Sequence, residues 1–325
     1  MAEKLSTKYL VDPELYPLLD RYDNYPLNAD VLAGQRETIA ASALADDGTA
    51  DGLEVRVERV CIARTRGEGT VSLLLVLPTG SAVQRGAILH IHGGGFVKGT
   101  PDQVLARLRV QASSLGCVIA SVDYALAPEA PFPAAIEDCY RSLCWLDEHA
   151  SSYSIDIARI GVAGESAGGG LAASLALLTR DREGPRLAFQ NLLYPMLDDR
   201  TGLASGVRNP FAGEFVWPPE SNNFGWNSLL GAARGTDQVS PYAAAARAES
   251  LLNLPPAYIA VGALDLLIDE NVDYAMRLNR AGVPVEVVVY QGAVHGFNQA
   301  PEATVARRAT QDRMAALARS LERHD

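Results

Sequence analysis

ARIGVAGESAGGGLAASLALLT, residues 158–179, is the stretch whose reading decides the fold. A short apolar run breaks at Gly164-Glu165-Ser166-Ala167-Gly168 and continues as an Ala/Leu-rich helical segment. A G-x-S-x-G between a strand and a helix is the pattern of a nucleophile elbow, a sharp turn that lifts one serine above the sheet. Gly164 and Gly168 carry no Cβ, so strand and helix can approach closely around Ser166. The N-terminus of the helix below it favours negative charge developing at that point. The stretch lacks the lysine of a phosphate-binding loop. No G-x-G-x-x-G stands at the start of the first strand–helix unit, so a nucleotide site is not indicated.

Outward from the elbow, strands and helices alternate. LEVRVERVCIA (53–63) and TVSLLLVLP (70–78) read as an antiparallel pair separated by residues 64–69. GAILHIH (86–92), CVIASVDY (117–124), the 158–164 run, AFQNLLYP (188–195), PAYIAVG (256–262) and VEVVVY (285–290) complete eight strands. The late ones are continuous apolar runs, as in strands buried on both faces. Helical patterns fall at 30–44, 134–150, 167–179, 269–281 and 302–322; Gly282 and Pro284 form a stop signal for the fourth. Alternation of this kind implies right-handed parallel βαβ units, so the fold class is α/β, a mostly parallel eight-stranded sheet flanked by helices. Residues 198–245 interrupt the alternation, and Phe211, Phe215, Trp217, Phe224 and Trp226 crowd into them. A structureless loop of that length is unusual, so a helical insertion over the sheet is expected.

A serine hydroxyl needs a base, and the base an orienting carboxylate. In the chain order serine, acid, histidine, only His295 and His324 follow Ser166. His324 is next to last, where chains fray. His295 follows the last strand, at the sheet edge where ligands collect. Asp265 lies just beyond PAYIAVG and is assigned as the acid, while Asp269 reads as a helix N-cap. His92-Gly93-Gly94-Gly95-Phe96 follows the strand GAILHI. Its glycines leave backbone N–H groups open to an oxyanion, with His92 and Gly93 supporting the loop. His90 and His92 have no third ligand at sensible spacing, so no metal is expected.

Taken together, these blocks closely resemble the hormone-sensitive-lipase-like esterases of the α/β-hydrolase fold, in detail the bacterial acetyl-esterase and heroin-esterase-like branch. The resemblance rests on HGGGF (92–96), DYALAPEAPFPAA (123–135), GESAGGG (164–170), the G-x-x-D-x-L-x-D-E pattern of 262–270, and HGF (295–297). It implies a helical cap built from the N-terminal residues 1–50 and the insertion 198–245, around a catalytic domain of residues 51–197 and 246–325. It implies Ser166, Asp265 and His295 as a triad, with Gly94, Gly95 and Ala167 supplying oxyanion-hole N–H groups, and no cofactor. Ala125, Leu266 and Ile268 stand where the family commonly has arginine, proline and arginine, and Glu165 stands where it more often has aspartate.

The implied activity is a serine carboxylesterase acting through an acyl-enzyme on short acyl esters, about two to eight carbons long. The rivals are an amidase or peptidase with the same triad and a non-catalytic ligand-binding protein on this scaffold. Phe96, Phe211, Phe215 and Trp217 are the candidate pocket rings. The partner is a small-molecule ester, with a homodimer left open. The 325 residues carry a net charge of −11 and no long basic run, which argues against nucleic acid. No run reaches membrane-spanning length, and MAEKLSTKYLVDPELYP lacks a secretory h-region. Cys61, Cys117, Cys139 and Cys144 make no C-x-x-C pair and read as reduced, mostly buried thiols of a cytoplasmic protein.

Overall fold

The computed structural model describes residues 6–22, 26–45, 52–64, 69–80, 84–203 and 209–322. Its strands are β1 (Val55–Ala63), β2 (Thr70–Pro78), β3 (Arg85–Ile91), β4 (Val118–Asp123), β5 (Ile155–Glu165), β6 (Gln190–Leu193), β7 (Ala257–Gly262) and β8 (Val285–Tyr290). They form one sheet in the order β1-β2-β4-β3-β5-β6-β7-β8. β2 runs antiparallel to both β1 and β4, and every later pairing is parallel. This is the α/β-hydrolase architecture the sequence implies.

The helices are α1 (Tyr16–Arg21), α2 (Ala29–Ala45), α3 (Leu105–Leu115), α4 (Ala134–Glu148), α5 (Ala167–Asp181), α6 (Pro219–Leu230), α7 (Ile268–Arg280) and α8 (Thr304–Leu321). Side chains alternate along a strand, so the central strands feed two cores. Ile88, Ile119 and Ala163 pack with Leu105, Leu108 and Ala112 of α3 and Leu317 and Leu321 of α8. Leu89, Ile91 and Val162 pack on the other side with Leu143 and Leu146 of α4, Leu171 and Leu175 of α5, and Leu278 of α7. Among the described residues no helix is long and apolar enough to cross a membrane.

Three details depart from the sequence reading. α7 begins at Ile268 with Leu267 in the capping position, so Asp269 is an exposed first-turn residue and not the N-cap. The reason is that Asp265 already takes that turn: its Oδ1 accepts from Leu267 N at 3.0 Å. β8 is not buried on both faces. It is the sheet edge, and Val287 and Val289 are exposed. Of the four free cysteines only Cys117 and Cys139 are buried; Cys61 on β1 is exposed and Cys144 half-buried. His324 lies outside the described residues.

Among its described residues the insertion holds one α-helix, α6, a short 3-10 helix at Gly231–Ala233 and otherwise turns and bends. The buried carboxylate of Asp199 receives the Arg247 guanidinium at 2.7 and 3.0 Å, tying the two ends of the excursion together. The N-terminal segment is fastened to it. Ser6 and Thr7 donate to the Glu214 carboxylate at 2.6 Å, and Leu27 N donates to Ser221 Oγ at 2.8 Å. Leu15 and Leu18 of the same segment are fully buried beside Val294 and Phe297.

Candidate active site

β5 ends on Glu165 and α5 begins at Ala167, so Ser166 alone makes the turn, at φ 55° and ψ −120°. A non-glycine residue at positive φ is strained and persists only where its surroundings hold it. Here the backbone around it is packed to contact. A Cβ on Gly164 would collide with the Gly168 carbonyl, and one on Gly168 with the carbonyls of Ile91 and His92. Ser166 N donates to Leu193 O at 2.9 Å, and Ser166 O accepts from Gly170 N and Met196 N at 3.0 Å. The elbow therefore has no freedom to relax.

The turn presents Ser166 Oγ 2.9 Å from His295 Nε2, and His295 Nδ1 lies 2.7 Å from Asp265 Oδ2. All three side chains are buried, Asp265 completely. Three strand ends contribute: Ser166 follows β5, Asp265 follows β7, and His295 follows β8. The carboxylate requires a proton on Nδ1, which leaves Nε2 as the acceptor for the serine hydroxyl. Two rings flank the imidazole, Tyr194 at 4.6 Å and Trp217 at 5.8 Å between centroids.

The glycine loop lies beside the elbow. A Cβ on Gly93 would press on the Glu165 carbonyl, and one on Gly95 would strike the Trp217 ring. Gly94 and Gly95 both take positive φ. Among the described residues neither of their amides donates in a backbone hydrogen bond. Ala167 is the first residue of α5, where the amide has no helical acceptor. His92 braces the loop: its Nδ1 donates to Gly93 O at 2.9 Å, and its ring stacks on Tyr124 at 4.3 Å. Burial lowers the His92 pKa to about 4, so the ring is neutral and its Nε2 stays unpaired.

Beneath the elbow lies a buried charge cluster that sequence reasoning missed. Glu165 Oε1 accepts from Arg107 at 2.8 Å and Arg313 at 2.6 Å, and its Oε2 lies 3.0 Å from His90 Nε2. Arg313 also donates to Asn191 Oδ1 at 2.7 Å, and His90 Nδ1 lies 2.8 Å from Ser121 Oγ. Burial opposes the Glu165 charge, but Arg107, His90 and Arg313 outweigh it and hold the carboxyl well below its ordinary range. Desolvation lowers the His90 pKa, so its ring is neutral, with both nitrogens engaged by Glu165 and Ser121. Glu165 stood in view as the residue before the serine, but Arg107 and Arg313 come from helices 58 and 148 positions away. Arg64 fills a second gap: it holds Asp138 at 2.8 and 2.9 Å beside Ala125, whose N–H donates to the same carboxylate.

A cavity of about 420 Å³ opens over the triad. Ser166, His295, Gly94 and Gly95 form its floor, and Trp217, Val216 and Ser221 from the insertion and Tyr22, Leu27, Gln35 and Ile39 from the N-terminal segment close over it. Of the candidate rings only Trp217 lines it. Phe211 is 52% exposed on the outer surface, and Phe215 packs against the core cluster that holds Val294 and Phe297. Phe96 turns away from the cavity at φ 67° and packs on Trp226 at 4.9 Å. Tyr194 was overlooked; it follows β6 directly, at the sheet edge that carries Ser166, which was the available signal.

A family model described as the alpha/beta hydrolase fold matches residues 88–299. The esterase LipI of Mycobacterium tuberculosis is 42% identical over 212 residues, and the match covers 65% of each chain. The carboxylesterase NlhH of the same organism is 37% identical over 235 residues, 72% of this chain and 73% of that one. Among solved structures, a bacterial heroin esterase superposes with a TM-score of 0.88 at 34% identity, covering 98% of this chain and 100% of that one.

Proposed function

The chain belongs to the hormone-sensitive-lipase-like esterases of the α/β-hydrolase fold, and we propose that it is a serine carboxylesterase that cleaves short-chain acyl esters through an acyl-enzyme on Ser166. The observation that carries this reading is the unbroken hydrogen-bonded line Ser166–His295–Asp265 opening into a roofed cavity.

Ser166 Oγ attacks the ester carbonyl as its proton passes to His295 Nε2, and Asp265 stabilises the imidazolium that forms. The carbonyl oxygen becomes an oxyanion held by the amides of Gly94, Gly95 and Ala167; removing one such donor costs about 3 kcal/mol in comparable sites. His295 returns the proton to the departing alkoxide, leaving Ser166 acylated. Water, deprotonated by His295, then releases the acid and restores the serine. The N-terminal residues and the insertion act together as the cap, with Trp217 set between His295 and Gly95. A partly roofed cavity of about 420 Å³ suits a small monomeric ester better than a long acyl chain.

A series of p-nitrophenyl esters tests the reading. Acetate to octanoate should be the best substrates, with kcat/KM falling for longer chains. Faster hydrolysis of emulsified long-chain triglyceride than of p-nitrophenyl butyrate would overturn the short-chain account.

A further inference from the structure

The cavity over Ser166 contains a cation that ester hydrolysis does not use. Lys98 follows the glycine loop: its N–H donates to Gly94 O at 3.1 Å. Its stem lies over the oxyanion loop, where a Cβ on Gly94 would stand 3.2 Å from Lys98 Cγ. Lys98 lines the same cavity as Ser166, and its ammonium donates to Oε1 of Gln35, another lining residue, at 2.5 Å. Among the described residues no carboxylate pairs with it, and desolvation alone lowers its pKa. An ammonium has three donors, so one amide oxygen leaves it under-satisfied in a place where burial penalises its charge.

The neighbouring charges do not compensate. Arg107 lines the cavity too, and among the described lining residues Glu165 is the one carboxylate. That carboxylate is shared by Arg107 and Arg313 and receives His90 as well. Among the described lining residues, Lys98 and Arg107 thus stand against the single carboxylate of Glu165, with Asp265 buried behind His295 and turned to its ring. Gln35 and Gln103, which line the same region, add amide donors. Such a set is complementary to an anion, and a single cation with spare donors suits a monoanion.

We propose that Lys98, with Gln35, binds a carboxylate carried by the substrate, so that the preferred esters are those with a free carboxylate on the acyl or the alcohol side. This rests on the esterase reading above and adds the substrate class. The ammonium would exchange a lone amide contact for a charge-assisted one, an interaction large enough to shift selectivity about tenfold or more.

The experiment compares kcat/KM at low salt for two matched pairs. Monoethyl glutarate against ethyl pentanoate places the carboxylate on the acyl side; 4-butyryloxybenzoate against phenyl butyrate places it on the alcohol side. The wild type should favour the anionic member of at least one pair by about tenfold or more. The favoured pair identifies which side faces Lys98. Lys98→Met should bring that ratio to one or below, while Lys98→Arg should keep it above one. A lysine that merely fastens α2 through Gln35 would change both members of a pair alike and leave the ratio unmoved, which would overturn the proposal. So would neutral esters being cleaved by the wild type with no anionic preference in either pair, and in that case the esterase reading stands. If no ester is cleaved and Ser166 resists fluorophosphonate, the esterase reading itself fails and this inference with it.

Discussion

Below the cavity, Gly93, Gly164 and Gly168 sit where a Cβ would meet backbone, and Ser166 is held at φ 55° by three backbone hydrogen bonds. Above it, the chain is held by side-chain pairs between distant segments: Thr7 with Glu214, Leu27 N with Ser221, Tyr22 with Gln299, and Arg36 with Glu129. The floor is specified by short contiguous blocks in which backbone geometry dictates residue type. The roof is specified by pairs that many residue types could supply. Chemistry that tolerates little displacement is built on the first kind of support, and the part proposed to select substrate size is built on the second.

The largest effects should come from the floor's reacting groups. His295→Ala and Asp265→Asn should each lower kcat by about 10⁴, and combining either with Ser166→Ala should add little, because triad members act as a unit. Asp269→Asn, exposed on the first turn of α7, should stay within about threefold of wild type. If the two aspartate variants rank the other way, the acid has been misassigned.

Next comes the charge cluster under the elbow. Glu165→Gln leaves the buried Arg313 and the half-buried Arg107 without a counter-charge, which should cost about 3 kcal/mol at neutral pH. Because the folded-state pKa is depressed below the ordinary 4.5, the carboxylate stabilises the protein above that value and the contribution is lost as pH falls below it. Denaturant titrations should therefore show the gap between variant and wild type narrowing in acid. A gap that stays constant with pH would mean the charges do not carry the effect.

Gly168→Ala tests whether the floor is as rigid as its packing implies. The new Cβ would press on the Ile91 and His92 carbonyls, and about 2 kcal/mol of stability should be lost together with activity. Wild-type melting and turnover would show that α5 can retreat from β3.

The smallest expected effect belongs to the roof. Glu214→Ala deletes the acceptor of Ser6 and Thr7, and should cost about 1 kcal/mol while widening the range of acyl lengths accepted. An unchanged chain-length profile would mean that this contact does not position the N-terminal segment.

The same contrast explains what could be read from residues alone. The G-x-S-x-G block, the glycine loop, Asp265 and His295 were legible because each stands where a strand ends, and strand ends are visible as breaks in apolar runs. The eight strands, with their antiparallel start and parallel remainder, were legible from the alternation; the spatial order, with β4 seated between β2 and β3, was not, because it is set by where the crossovers pack. Arg107, Arg313, Arg64 and Lys98 were not legible as site residues. Each is an ordinary basic residue until the fold brings it to Glu165, Asp138 or the cavity. The insertion's rings were overread for the same reason, since aromatic density says nothing about direction: Trp217 faces His295, while Phe211 faces outward.

The central claim is that Ser166 is the covalent nucleophile. Treatment with a fluorophosphonate followed by peptide mass spectrometry should place one adduct, on Ser166, and the Ser166→Ala protein should take up none while retaining no more than about 1% of ester hydrolysis. An adduct on another residue, or substantial hydrolysis by Ser166→Ala, would contradict it.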